Sequence, residues 1–181
     1  MRALLLVAAA TLCFAATESR VSRASIVAVE GSVDQTLKAP SADPYELLGL
    51  TRGTYLEGYG TLFTFEVDLV STGGLLTVGP FGRPLTPDQL AKLRDRKVKK
   101  LPELKETMRS LIENASSTLE GLPPNERIAM EAILLNNPGE KSGKDMPRRI
   151  FMSAEKQKLL DAKANHATPA ELLGLIEEQD R

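Results

Sequence analysis

The chain of 181 residues has a single cysteine, a single histidine and no tryptophan, and aromatic residues make up only 4% of it. Structural zinc sites are built from Cys and His, and catalytic zinc takes two or three His, so one of each excludes a conventional zinc centre. A Ser-His-Asp or Cys-His mechanism would have to run through His166, which stands just before a capped helix start and reads as a solvated loop histidine. Charge of one sign is missing too: 23 Lys and Arg face 24 Asp and Glu. Without a basic run, and with few aromatics, the chain lacks the phosphate-neutralising footprint of a nucleic-acid binder. Glycine-rich phosphate loops, a G-x-S-x-G elbow and a calcium-loop pattern are likewise absent, and no cofactor or metal is expected.

The longest apolar run is Ala3 to Ala16, which follows Met1-Arg2 and precedes Thr17-Glu18-Ser19-Arg20. That is the three-part pattern of a secretory signal peptide, shorter than the roughly 20 residues of a spanning helix. The expectation is a signal peptide over 1–15, a flexible tail over 16–24 and a single α+β domain over 25–181, with no stable membrane span after cleavage. Cleavage would remove Cys13, leaving a mature chain unable to form disulfides. A periplasmic or secreted bacterial protein fits that pattern.

Ser25 to Glu30 is β-branched and ends at Gly31, which predicts a short strand. Asp43-Pro44 is a helix start, and Gly49 limits the helix to little more than a turn. From Phe63 the residues alternate, with Phe63, Phe65, Val67 and Leu69 on one face and Thr64, Glu66 and Asp68 on a polar, solvent-facing one. Gly58 and Gly60 predict a tight turn between Tyr55-Leu56 and this strand. Residues 71–85 form a loop.

Thr86-Pro87-Asp88-Gln89 opens a helix with a capping box, Pro102 marks a kink or restart, and Leu104, Met108, Leu111, Ile112, Ala115 and Leu119 continue the apolar stripe. The charges from Arg94 to Lys100 and Glu103 to Glu106 are assigned to its solvated side. Residues 126–135 read as a strand by alternation, although their composition also suits a helix; Arg149 to Ser153 is a second strand that could pair back with it. Thr168-Pro169-Ala170-Glu171 starts a last helix ending near Glu178. Pro44–Leu50 and Pro169–Leu175 repeat the same residues except Tyr45 against Ala170, so two short helices are expected there. The fold class is therefore α+β: an antiparallel sheet of about four to five strands packed against a long, kinked helical segment, with short C-terminal helices.

Tyr45, Tyr55, Tyr59, Phe63, Phe65 and Phe81 fall within one stretch. Tyrosine has a flat apolar body and a polar tip, suited to a contact surface or to the rim of a core. Tyr55, Glu57 and Tyr59 are the candidate binding residues of a non-catalytic binding or assembly module of the cell envelope, whose partner is an unknown envelope protein or ligand. A carboxylate-based hydrolase acting on envelope polymers or glycans, with Glu57, Glu66 or Asp68 as acid and base, is the alternative; a structural subunit assembling through the 86–120 helices is another. The oligomeric state is open.

The run Gly53-Thr54-Tyr55-Leu56-Glu57-Gly58-Tyr59-Gly60-Thr61-Leu62-Phe63-Thr64-Phe65-Glu66-Val67 resembles a segment of uncharacterised secreted bacterial proteins in which Tyr-Leu-x-Gly-Tyr-Gly precedes an aromatic strand. Leu122-Pro123-Pro124-Asn125-Glu126-Arg127 and Arg149-Ile150 are similar to the same group, about half the mature chain in all. The resemblance implies export and a strand over 126–135, and no mechanism.

Overall fold

The computed structural model describes residues 21–40, 44–70, 85–137, 140 and 145–181. The expected signal peptide, the tail residues 16–20 and the loop residues 71–84 lie outside the described residues. The architecture is α+β, a six-stranded, mostly antiparallel sheet with one long helix and short C-terminal helices.

The stretch expected as a strand at 25–30 is instead part of helix α1, Arg23–Leu37. Ser22 caps it by accepting from the Ser25 N–H, and Ile26, Val29, Val33 and Leu37 are buried at helical spacing, a stripe that runs on past Gly31. An amphipathic face over 15 residues outweighs the β preference of six. The helix lies along strand β2 (Arg52–Leu56), which follows strand β1 (Glu46–Leu47). Glu30 accepts from the Gly53 N–H at 2.7 Å, Asp34 from the Thr51 N–H at 2.9 Å and hydroxyl at 2.7 Å, and Arg23 donates to the Gly53 carbonyl at 3.2 Å. Outward backbone groups of an edge strand are thus satisfied by helix side chains.

Strand β3 (Gly60–Asp68) pairs antiparallel with both β2 and β1, which share its one edge. Of the helix expected at 43–50, the described residues 44–50 are instead a two-residue strand and its flanks. On its other edge β3 runs parallel to β4 (Arg127–Leu134), and β5 (Arg149–Glu155) and β6 (Glu177–Asp180) continue antiparallel. A parallel neighbour requires a crossover. Helix α2, Pro87–Thr118, supplies it.

The capping box of α2 forms as expected, with Thr86 and Gln89 exchanging bonds. Pro102 does not restart the helix: α2 continues through it for 32 residues. Proline removes one N–H rung, and the buried face on either side, Leu93, Leu101, Leu104, Met108, Leu111 and Ile112, holds both halves to the sheet. The sheet face beneath carries Phe63, Phe65 and Val67, then Met130, Ala132 and Leu134 beside them, then Ile150 and Met152. Its other face carries exposed or half-buried Thr54, Leu62, Thr64, Glu66, Glu131 and Phe151.

Helix α2 has no basic residue in its last turn. The cation comes from helix α3, Lys156–Ala164: the Lys156 ammonium donates to the carbonyls of Leu119 (2.8 Å), Glu120 (3.1 Å) and Leu122 (2.8 Å). Burial pushes this amine below its ordinary range. Helix α4, Pro169–Gly174, has the full box between Thr168 and Glu171 but ends at Gly174 rather than near Glu178, because 177–180 pair with β5 as β6. Glu178 and Asp180 of β6 meet Lys105 and Arg109 of α2 at 2.6–2.7 Å. His166 is exposed after α3, at φ +53°, the left-handed residue that closes the helix.

Candidate functional site

The turn joining β2 to β3 is Glu57-Gly58-Tyr59, with the Tyr59 N–H donating to the Leu56 carbonyl at 3.0 Å. Gly58 has φ +77°, as the third position of a type II turn requires. Gly60 has φ +135°, and a Cβ there would fall 1.9 Å from the Arg127 carbonyl oxygen. Only glycine lets the hairpin approach β4 this closely. The Arg127 N–H then donates to the Tyr59 carbonyl at 2.8 Å.

Beneath the turn lies Glu126, 6% exposed, a residue the sequence pattern did not single out. Its Oε1 accepts from the Tyr55 hydroxyl and the Gly58 N–H, both at 3.1 Å. Burial, the bond to Glu126 and the charges of Glu126 and Glu57 push the Tyr55 hydroxyl above its ordinary range. It stays a donor. The Glu126 backbone carbonyl accepts from the Lys156 N–H at 3.0 Å, which ties the same residue to α3.

The three residues expected to bind therefore divide. Tyr55 is half-buried and turned onto Glu126, while Glu57 is exposed at the turn and Tyr59 is 38% exposed. Leu56, 44% exposed, joins them at the tip. Glu57 and Tyr59 share that tip, and Tyr55 supports it from below.

Glu57 and Asp68 are not brought together as an acid and a base. The tip and Asp68 lie at opposite ends of β3, nine residues that span roughly 30 Å, against about 5–9.5 Å between the carboxyls of a glycosidase pair. Glu66 is exposed; Asp68 does not share its solvent-facing surroundings but is 2% exposed. Its partner is Lys97, 0% exposed although it lies in the charged run assigned to solvent. Lys100 of the same run is also buried, with its ammonium 4.4 Å from the centre of the Tyr45 ring. Lys97 Nζ reaches the Leu135 carbonyl at 2.8 Å, Glu140 Oε2 at 3.1 Å and Asp68 Oδ1 at 3.4 Å. Burial raises the Asp68 carboxyl above its ordinary range, and Lys97 opposes that rise.

Among the described residues no group of three or more His, Cys, Asp or Glu could hold a metal ion, and no helix is long and apolar enough to cross a membrane. No family model, curated protein or solved structure matches the chain.

Proposed function

We propose that the chain is an exported, non-catalytic binding or assembly module of the bacterial cell envelope that engages its partner through the β2–β3 tip. The observation that carries this reading is the pairing of exposed Leu56 and Tyr59 on a turn held rigid from beneath by Glu126. Exposed apolar side chains on a mobile loop lose entropy when they bind; here the two backbone contacts of Tyr59 and the Glu126 bonds have already fixed the turn. Glu57 adds a charged rim. The leader pattern of residues 1–20 and the resemblance to secreted proteins support export.

The test is native mass spectrometry of the protein isolated gently from its own cells. A retained partner or ligand should be lost in the Leu56→Ser/Tyr59→Ser variant while the melting temperature holds. Tyr55→Phe, which frees one Glu126 bond, should weaken retention less. Unchanged retention by the double variant sinks the proposal.

A further inference from the structure

Among the described residues, all four helices lie on one side of the sheet and no element covers the other. Parallel strands are normally covered on both faces, yet the β3–β4 pair is covered on one. The strand register fixes what the bare face carries. Leu48, Glu66, Ile133 and Arg149 stand side by side in one outer row, since the Leu48 N–H donates to the Glu66 carbonyl and β4 and β5 continue the row. Leu56, Arg127 and Glu155 stand in the opposite outer row, about 20 Å away along the strands.

A sheet face turned to water alternates to polar residues. Here Leu62, Ile133 and Phe151 are half-buried on the three central strands, and Leu48 and Leu56, 42% and 44% exposed, mark two corners. With the strands laid in the order β1 and β2, β3, β4, β5, β6 and the bordering side chains included, the face measures about 25 by 25 Å. Two copies laid together would bury roughly 1,200 Å² in all, which reaches the lower limit of a specific, stable interface.

The face is complementary to itself. Two copies of a sheet pack face to face about a two-fold axis that runs between them, either along the strands or across them. An axis along β4 sets Glu131 against the second copy's Glu131 and Arg127 against its Arg127. An axis across the strands instead exchanges the two outer rows, so that Leu48 meets the second copy's Leu56 and Arg149 meets its Glu155, twice each. Both axes bury the same residues and differ only in which of them oppose one another, and opposed like charges are unfavourable. Arg149, with its side chain 56% exposed, has one bond to Glu131 at 3.4 Å, and Glu155 has one to Lys158 at 3.0 Å, so each has capacity for a further partner. We infer that a second copy of this chain covers the bare face, packed sheet to sheet about a two-fold axis across the strands. The face shares only Leu56 with the tip and does not rest on that reading.

Sedimentation equilibrium of the full chain tests this. The apparent mass should rise from one copy to two, with a Kd in the micromolar range expected of so modest an area. Arg149→Glu opposes like charges at two places and should raise the Kd roughly tenfold or more, whereas Arg149→Glu/Glu155→Arg exchanges the pair and should return it to within about threefold. Leu48→Lys, at an exposed position, should also weaken association roughly tenfold or more. Circular dichroism melts at a concentration where every variant is monomeric separate lost association from lost folding. A chain that stays monomeric up to about 1 mM, whether a segment of its own or a different partner takes the face, overturns the inference. So does a dimer that either single variant leaves unchanged, or one that the charge exchange does not regain.

Discussion

Residues 44–50 and 169–175 carry the same letters apart from Tyr45 against Ala170, yet the first copy is strand β1 and the second is helix α4. Each has proline where a helix begins and glutamate two residues on. In the second copy nothing competes with that local signal: Thr168 Oγ1 accepts from the Glu171 N–H, and the Glu171 carboxylate accepts from the Thr168 N–H at 2.7 Å. In the first, Tyr45 packs its ring against the Lys100 ammonium, Leu47 sits opposite Val67, and the Leu48 N–H donates to the Glu66 carbonyl at 2.9 Å. One aromatic anchor and a waiting sheet edge outweigh propensities worth tenths of a kcal/mol per residue. A short segment takes its conformation from what it can reach.

The largest way to break the contrast is Lys97→Met. The first copy pairs with β3 at Asp68, and the variant leaves Asp68 and Glu140 buried without their cation, at a cost of about 3–5 kcal/mol. Asp68 is already raised by burial, so the folded state takes up a proton more readily than the unfolded chain, and stability falls as pH rises from the ordinary Asp range through the folded value. Denaturant melts of the variant should therefore show a deficit larger at pH 7 than at mildly acidic pH, and hydrogen exchange should show β1 opening while α4 stays protected.

A smaller effect belongs to the second copy. Thr168→Ala removes the cap and should cost about 1 kcal/mol, confined to α4 in hydrogen exchange. Acid should mimic it. The backbone and hydroxyl bonds from Thr168 hold the Glu171 carboxyl below its ordinary 4.5, so their contribution is present above that value and disappears as pH falls through the lower, folded one. The smallest effect is expected of Asp43→Thr, which gives the first copy the same Thr-Pro-x-Glu start as the second: stability should change by less than about 0.5 kcal/mol with β1 intact by NMR secondary shifts. A new helix at 44–49 would show that the cap, not the sheet edge, decides.

The same contest between local and distant forces separates what was legible in the sequence from what was not. The box at Thr86, the alternation from Phe63, the turn at Gly58 and the strand over Arg127–Leu134 all have local patterns that agree with their surroundings. Helix α1 was hidden because its β-branched start is read over six residues and its buried stripe over fifteen. Strand β6, Glu177–Asp180, has no strand propensity; Lys105 and Arg109 on α2 give its acids a place to lie. The tip residues Glu57 and Tyr59 were visible as a Tyr/Gly cluster. Glu126 and Lys97 were not, because a single charge in a polar loop or a charged run carries no mark of the backbone groups and carboxylates that wait for it.

Helix α1 has one further consequence. By bonding Thr51 and Gly53 through Glu30, Asp34 and Arg23, it occupies an edge that would otherwise template the addition of a foreign strand. A chain trimmed past Leu37 would lose more than a packing element: it would acquire an adhesive border, and its first defect would be self-association into fibrous aggregates rather than simple unfolding.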